Sequence, residues 1–409
     1  MHCGQIPNRL LTTSEEHYFA PGSAICSSGP GKYSFWSRYL EIFDEVIVLA
    51  RVSLAGETKN EELRADGPCV SFRAMPDYTG PWQYLQARRA AEIIARNAAA
   101  KSCSYLLRVP GFVSQMVWHE IRRLRKPYAV EVLGDPWEAL SPGTWPNALR
   151  PAFRILATQQ LKRICSGATA VSYVTSGALQ KRYAPPSNAY VTEFSDVSLA
   201  IDAPTITKEN KNLRLRELPW KDSKTPDPIR IGFIGSFARM YKGPDTLLHA
   251  AALCQHHLNL QIVMVGAGRY LPEMKTLATR LGIADRVEFR GELSSGPSIF
   301  EFLDSIDMFV MPSRAEGLPR ALVEAMSRGC PCIGSAVGGI PELLDASDLV
   351  PANSPEKLAN LILEVAADSN RLLAMSARNL AKAGQFNPET LNRARRAFLE
   401  EVKRRSLPG

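Results

Sequence analysis

The sequence predicts an α/β protein: two doubly wound, Rossmann-like domains facing a central cleft. Three observations carry this. The chain has 409 residues, too many for one ordinary core and comfortable for two. Short apolar runs alternate with helical patterns from end to end, as parallel sheets covered by helices on both faces require. A polar, proline-bearing stretch over 202–228, with KENKNLRLRE and KDSKTPDP, interrupts that alternation near the middle.

The elements follow in order. Strands are expected at 9–13, 45–51, 69–73, 105–109, 128–133 and 168–173, with helices such as 84–98 and 152–164 between them. After the break, strands are expected at 229–235, 261–266, 287–291, 308–312 and 331–335, and helices at 245–254, 271–281 and 319–328. The domains are therefore 1–200, a linker at 201–228, and 229–385. The remainder, 386–409, sets Leu391, Ala394, Phe398 and Val402 at helical spacing among basic residues. Such an amphipathic helix is expected to pack back on the first domain. Ligands of doubly wound sheets sit beyond the carboxyl ends of the strands.

Composition narrows the function. Hydrophobic residues make up 45% and charged residues 22%, the balance of a globular chain. No apolar run approaches the roughly 18–20 residues that span a bilayer. No basic segment followed by an apolar stretch opens the chain, so a cytoplasmic protein is expected. The eight cysteines form no C-x-x-C pair; Cys330 and Cys332, around Pro331, read as packed thiols. No H-x-x-E, D-x-D or Cys/His cluster occurs, so neither a metal nor a bound cofactor is expected. The net charge of +8 suits phosphorylated ligands or an anionic membrane surface. Zinc-finger spacing, RNP-like aromatics and basic-zipper heptads are all missing, which ranks nucleic acid last.

Chemistry concentrates in the second half. In PSRAEGLPRALVEAMSRGCPCIGSAVGGIPELL (312–344) a strand ends at Pro312, a loop carries Glu316 and Gly317, and Pro319 suits the first position of a helix. Gly329 suits the end of that helix. A carboxylate beside a helix entry can take hydroxyls, and the helix amides can take anionic oxygens. Glu324 reads, on its own, as a helix residue paired with Arg328 four positions later. In IGFIGSFARMYKGPDTLLHA (231–250) a strand runs through Gly235 and Ser236 into a loop with Arg239 and Lys242, two cations placed to meet a diphosphate. Gly266-x-Gly268 lacks the third glycine of a dinucleotide fingerprint and reads as a tight turn.

Glu316-x7-Glu324, inside EGLPRALVEAM and followed by GGIPEL, resembles the retaining glycosyltransferases of family 4, which have the GT-B fold. The resemblance spans the second half of the chain. It implies that Glu316 holds donor-sugar hydroxyls and Glu324 the nucleotide ribose. Gly317, Leu318 and Pro319 then face the sugar and phosphates, and Lys242 of the Lys-Gly pair neutralises the diphosphate. The family usually has an Arg directly after the strand glycine; Ser236 stands there, and Arg239 is the candidate substitute. Gly266 and Arg290 would line the nucleotide side.

The first half is expected to bind the acceptor. YLEIFDEVIVLARV (39–52) and YAVEVLGDPWEAL (128–140) resemble, more loosely, a branch of that family acting in bacterial polysaccharide assembly. Many members carry a His where Leu133, Gly134 and Asp135 stand here. Asp135 is either a contact to the reacting sugar or acceptor, or a turn former in Gly-Asp-Pro. Glu16, His17 and Arg108 follow strand ends and are candidates to line the acceptor side. SSGPGK (27–32) lacks P-loop spacing and reads as an acceptor-side loop.

The expected reaction is sugar transfer from a nucleoside-diphosphate sugar to an acceptor hydroxyl with retention, on a lipid-linked or polysaccharide acceptor. The catalytic candidates are Glu316, Lys242 and Asp135. WHEIRRLRK (118–126) is either a contact to the inner membrane face or a solvated helix face. Alternatives are a nucleotide-sugar epimerase and a non-catalytic nucleotide-sugar binder that regulates an assembly. A pyridoxal-phosphate phosphorylase would need a much longer chain, and an NAD oxidoreductase an unbroken fingerprint.

Overall fold

In a computed structural model the described residues are 8–54, 63–78, 80–101, 103–142, 144, 147–195, 197, 228–294 and 296–406. The expected linker at 201–228 lies outside them except for Pro228.

The first domain is a seven-stranded sheet of β1 (Arg9–Phe19), β2 (Glu45–Ser53), β3 (Val70–Pro76), β4 (Ser104–Val109), β5 (Ala129–Val132), β6 (Ala170–Tyr173) and β7 (Tyr190–Glu193), in the order β3-β2-β1-β4-β5-β6-β7. All its pairings are parallel. Its helices are α1 (Pro81–Ala99), α2 (Phe112–Arg123), α3 (Pro136–Ala139), α4 (Arg150–Cys165) and α5 (Ala178–Arg182). The second domain is a six-stranded parallel sheet of β8 (Ile229–Ile234), β9 (Leu260–Val265), β10 (Val287–Gly291), β11 (Met308–Met311), β12 (Cys332–Ser335) and β13 (Leu349–Val350), in the order β10-β9-β8-β11-β12-β13. Its helices are α6 (Pro244–Cys254), α7 (Leu271–Arg280), α8 (Pro297–Asp304), α9 (Arg320–Ser327), α10 (Ile340–Leu343), α11 (Pro355–Ala366) and α12 (Ser369–Ala383).

Each central strand is buried on both faces, which is why it reads as a continuous apolar run: MFVM of β11 is buried throughout. Two apolar layers sandwich each sheet. In both domains the chain builds outward from its first strand and then jumps back: β4 returns beside β1, and β11 beside β8. The crevice at such a reversal is where doubly wound sheets hold ligands. In the second sheet it lies between the carboxyl ends of β8 and β11, below Lys242 and Glu316.

The last helix, α13 (Pro388–Ser406), leaves the second domain and packs on the first. Leu391, Phe398, Leu399 and Val402 join Tyr18, Val46, Leu106 and Phe194 in one core. The Phe194 and Phe398 ring centroids stand 5.7 Å apart. The rest of its surface is basic and partly anchored: Arg405 donates to the carbonyls of Thr169 and Asn188.

The second domain also touches the first directly. Gly317 packs on the Leu133 carbonyl, where a Cβ would collide. Glu342 of α10 accepts hydrogen bonds from the amides of Ser176, Gly177 and Ala178 at 2.6, 2.9 and 2.7 Å, and from the Ser176 hydroxyl at 3.0 Å.

Candidate active site

Four loops at the carboxyl ends of β8, β9, β11 and β12 build the site. The first two are fitted to each other through glycine. Gly266 and Gly268 take φ of +143° and +149°, and a Cβ on either would run into the backbone of 235–238. The turn after β9 thus packs flush on the loop after β8, as a tight turn does. Gly243, at φ +69°, presses on the Pro312 carbonyl and joins the Lys242 loop to the β11 end.

That fit brings Lys242 and Glu316 together. Lys242 Nζ lies 2.7 and 3.0 Å from the two carboxylate oxygens of Glu316, and the Ser313 hydroxyl donates to Oε1 at 2.6 Å. The Lys242 and Glu316 side chains are 16% and 6% exposed. Burial pulls the Lys242 ammonium down, but the Glu316 charge, Tyr241 and the hydrogen bond more than offset it, so it stands above the ordinary lysine range. A fixed cation and a fixed carboxylate therefore share one dry crevice. Such a pair can meet an anionic leaving group and a polyol at once.

Arg314 holds the frame. Its guanidinium forks onto Asp245 at 2.9 and 2.7 Å and also reaches the Met240 carbonyl and Asn353. Its amide meets the Tyr241 carbonyl at 2.6 Å. The loops of Lys242 and Glu316 are thereby tied on the side away from their charges. The sequence alone does not single out Arg314 and Ser313, although both stand between the strand end and Glu316, and it gives Glu342 no role.

The helix after this loop begins one residue later than expected. Pro319 is its N-cap, with ψ 113°, and Arg320 is the first helical residue. Leu318 and Gly317 pack against Gly339, whose amide bonds the Gly317 carbonyl at 2.8 Å. Gly329 closes the helix at φ +64°. The expected Glu324–Arg328 pair does not form. Arg328 turns to Asp304 at 2.8 and 2.6 Å, and Glu324 stands 3.8 Å from Arg320. Burial raises the Glu324 carboxyl above its ordinary range, only partly countered by Arg320. Cys330 and Cys332 are both buried.

The remaining donor-side candidates are spread along the rim. Gly235 packs on the Phe233 ring and the Lys242 stem. Ser236 accepts from the Ala238 amide at 3.1 Å, and Arg239 is exposed. Arg290 pairs with Glu288 at 2.6 Å.

In the first domain the candidates do not converge on one point. Asp135 caps α3, accepting from the Trp137 amide at 2.8 Å, and its other contacts are Arg182 and the Tyr183 hydroxyl. Both its oxygens are thus engaged within its own domain, and the side chain is buried. Arg108 turns into its own domain. It pairs with Glu131, its register partner on β5, at 2.9 Å and lies over the Phe35 ring. Glu16 folds into the Ser27–Lys32 loop, meeting the Ser27 hydroxyl and the Gly31 amide, so that loop already holds a carboxylate. His17 is half exposed and meets Asp77 at 2.9 Å. Among the described residues, no three His, Cys, Asp or Glu side chains gather as a metal ion would require.

Residues 216–384 match the family model for glycosyl transferases group 1. Protein CapJ of Staphylococcus aureus is 27% identical over 337 residues, covering 81% of this chain and 79% of CapJ. The putative colanic acid biosynthesis glycosyltransferase WcaL of Salmonella typhimurium is 30% identical over 171 residues, 38% of this chain and 42% of WcaL. Among solved structures, HepE of Anabaena, in complex with UDP and glucose, superposes with a TM-score of 0.66 at 19% identity, covering 96% of this chain and 99% of HepE. That last likeness is one of fold.

Proposed function

Because this chain belongs to the group 1 glycosyltransferases through residues 216–384 and has the GT-B fold, we propose that it moves a sugar from a nucleoside diphosphate to a hydroxyl of a saccharide acceptor with retention. The observation that carries the reading is the buried Lys242–Glu316 pair at the β8/β11 reversal. In the proposed reaction the bond from the anomeric carbon to the diphosphate oxygen breaks. A bond from the same carbon to the acceptor oxygen forms on the same face. The acceptor proton passes to the departing phosphate oxygen. Lys242, assisted by Arg239 from the rim, meets the charge that grows on the diphosphate. Glu316 orients sugar hydroxyls, Glu324 holds the ribose, and the backbone at Gly317 and Leu318 faces the sugar. On this reading Lys242 and backbone amides supply the positive potential the diphosphate needs.

The acceptor we propose is lipid-linked and met at an anionic membrane surface. No described helix is long and apolar enough to cross a membrane. WHEIRRLRK by itself offers only Leu124 as an exposed large apolar side chain, because Trp118 and Ile121 are buried. The helices on the same face of the sheet offer more: Trp82, Leu85 and Ile93 of α1 and Phe153, Ile155 and Leu156 of α4 are exposed. Arg88, Arg89 and Arg96 share α1 with them, and Arg150, Arg154 and Arg163 share α4, while the acids on α1 and α2, Glu92 and Glu120, are paired with Arg88 and Arg123. Apolar side chains interspersed with cations suit anionic headgroups over acyl chains.

A binding screen of UDP-, GDP-, ADP- and dTDP-sugars against wild type, Lys242→Ala and Glu324→Ala tests the donor site. Selective binding of one nucleotide sugar, weakened by both changes, is expected; no binding, or equal binding by the variants, sinks it. NMR of the product's anomeric centre reads retention, and it separates transfer from epimerisation of the donor or binding without turnover. Flotation with phosphatidylcholine vesicles, with and without phosphatidylglycerol, tests the surface. Binding only with phosphatidylglycerol, lost in Ile155→Glu/Leu156→Glu, is expected.

A further inference from the structure

We propose that Glu138 is the first domain's contribution to the reacting centre, its carboxylate accepting a hydrogen bond from a hydroxyl of the acceptor sugar. The proposal rests on the transferase reading and adds a residue to it.

The placement comes from α3. Asp135 caps this single turn, and the Ala139 amide bonds the Asp135 carbonyl at 2.9 Å, so Glu138 is held in the turn's last position but one. From there its carboxylate faces the other domain. The amides of Gly338 and Glu316 lie beside it, and so does the Glu316 charge. Glu138 and Glu316 therefore look into one space from opposite domains.

What sets Glu138 apart is one oxygen, because its carboxylate otherwise meets the backbone amides of Gly338 and Glu316. Its Oε2 is buried and receives no hydrogen bond. Its nearest cation, Arg182, stands 3.9 Å from Oε1 and is engaged by Asp135. Glu316 by contrast is met by Lys242 and Ser313. A buried acceptor left without a donor costs about 1–3 kcal/mol, so such groups are kept where something else fills them. Burial raises the Glu138 carboxyl above its ordinary range, against the pull of the two amides and Arg154, and the Glu316 charge adds to the rise.

The chemistry that satisfies both carboxylates is a hydroxyl-rich ligand, since each hydroxyl brings a donor and no charge. Glu316 sits on the nucleotide-sugar domain beside Lys242. Glu138 comes from the opposite wall, next to Trp137, whose ring lies 3.7 Å from the Arg154 guanidinium. A sugar between the domains thus meets Glu138 from the side away from the diphosphate, which is the acceptor side.

The test compares wild type with Glu138→Gln and Glu138→Ala, using UDP and GDP in turn as nucleotide probes. Glucose, galactose, mannose and N-acetylglucosamine serve as sugar probes, their binding followed by saturation-transfer NMR with the nucleotide saturating. Nucleotide affinity is expected to stay unchanged in both variants. Binding of the favoured sugar should weaken about tenfold or more in Glu138→Ala, with Glu138→Gln between the two. Unchanged sugar binding overturns the proposal, and so does a wild type that binds nucleotide but none of the sugars. A parallel loss of nucleotide affinity and thermal stability in Glu138→Gln would instead mark a structural residue and also overturn it. Failure of the transferase reading looks different: wild type then binds neither UDP nor GDP, and Glu138 loses its role with it.

Discussion

Glu342 reaches across the cleft to Ser176, its carboxylate 2.6 Å from the Ser176 amide nitrogen and 3.0 Å from the hydroxyl. The contact links α10 to the start of α5 through dipoles of the first domain, with no opposing cation among the described residues. Gly177 and Ala178 complete the seat. Glu342→Ala removes four hydrogen bonds to a charged acceptor at a half-exposed site. The expected cost is about 1–3 kcal/mol, measured by urea unfolding. Small-angle scattering should show a larger radius of gyration as the domains loosen. Unchanged stability and radius would mean that the Gly317–Leu133 contact holds the domains unaided.

The Lys242–Glu316 pair makes a second prediction because it is buried. Lys242→Ala leaves the Glu316 carboxylate in the crevice with only Ser313, so it should lose about 3–5 kcal/mol of stability. Adding Glu316→Gln to it should restore part of that loss, and a double-mutant cycle would show coupling of about 0.5–3 kcal/mol. Transfer activity should be abolished in all three variants, including the double variant whose stability has recovered. Activity in the double variant would break the link between the pair and the chemistry.

Glu324 gives a pH dependence. Its carboxyl is raised by burial, with Arg320 pulling it partly back. If it binds the ribose as a carboxylate, donor affinity is full above that raised value and falls as pH drops through it. Stability runs the other way. The folded chain holds the Glu324 proton more tightly than the unfolded chain, so this group's contribution to stability grows as pH falls through the same range. Glu324→Gln should flatten both limbs. Isothermal titration of the donor across pH, beside thermal melts, checks the opposed signs; limbs unchanged in Glu324→Gln would place the titration elsewhere.

The last helix yields a fourth prediction. Phe398 is fully buried in the first domain's core although α13 follows the second domain in the chain. Phe398→Ala should cost about 3–5 kcal/mol. The loss should appear in protection of β4 and β6 amides by hydrogen exchange, not of β9 or β11. Equal loss in both sheets would show that the domains unfold as one unit.

The architecture was largely legible because parallel strands buried on both faces announce themselves as apolar runs. β2, β4, β8, β9 and β11 fall within a residue or two of expectation. The strands that escaped were those without this signature. β7 at Tyr190–Glu193 alternates half-buried and exposed residues at a sheet edge, and β13 at Leu349–Val350 is two residues long. β1 runs on to Phe19 through the polar Ser14–His17 segment, past a register shift that no apolar pattern marks.

The sequence by itself determined the alternation of strand and helix, and it set Lys242, Glu316 and Glu324 in segments that resemble a donor site. These are local matters of periodicity and spacing along a few turns of chain. Only the tertiary structure decided which charges meet. Lys242 and Glu316 are 74 residues apart and touch because β8 and β11 are neighbours at the reversal of strand order. Arg328 leaves the helix partner that spacing offers, Glu324, for Asp304, because a bidentate fork outweighs a single contact along a helix. Asp135 spends both oxygens on its own domain, while Glu138, three residues on, faces the other. A side chain's direction follows from the turn that carries it and the wall it meets, and neither is written in the spacing of residues.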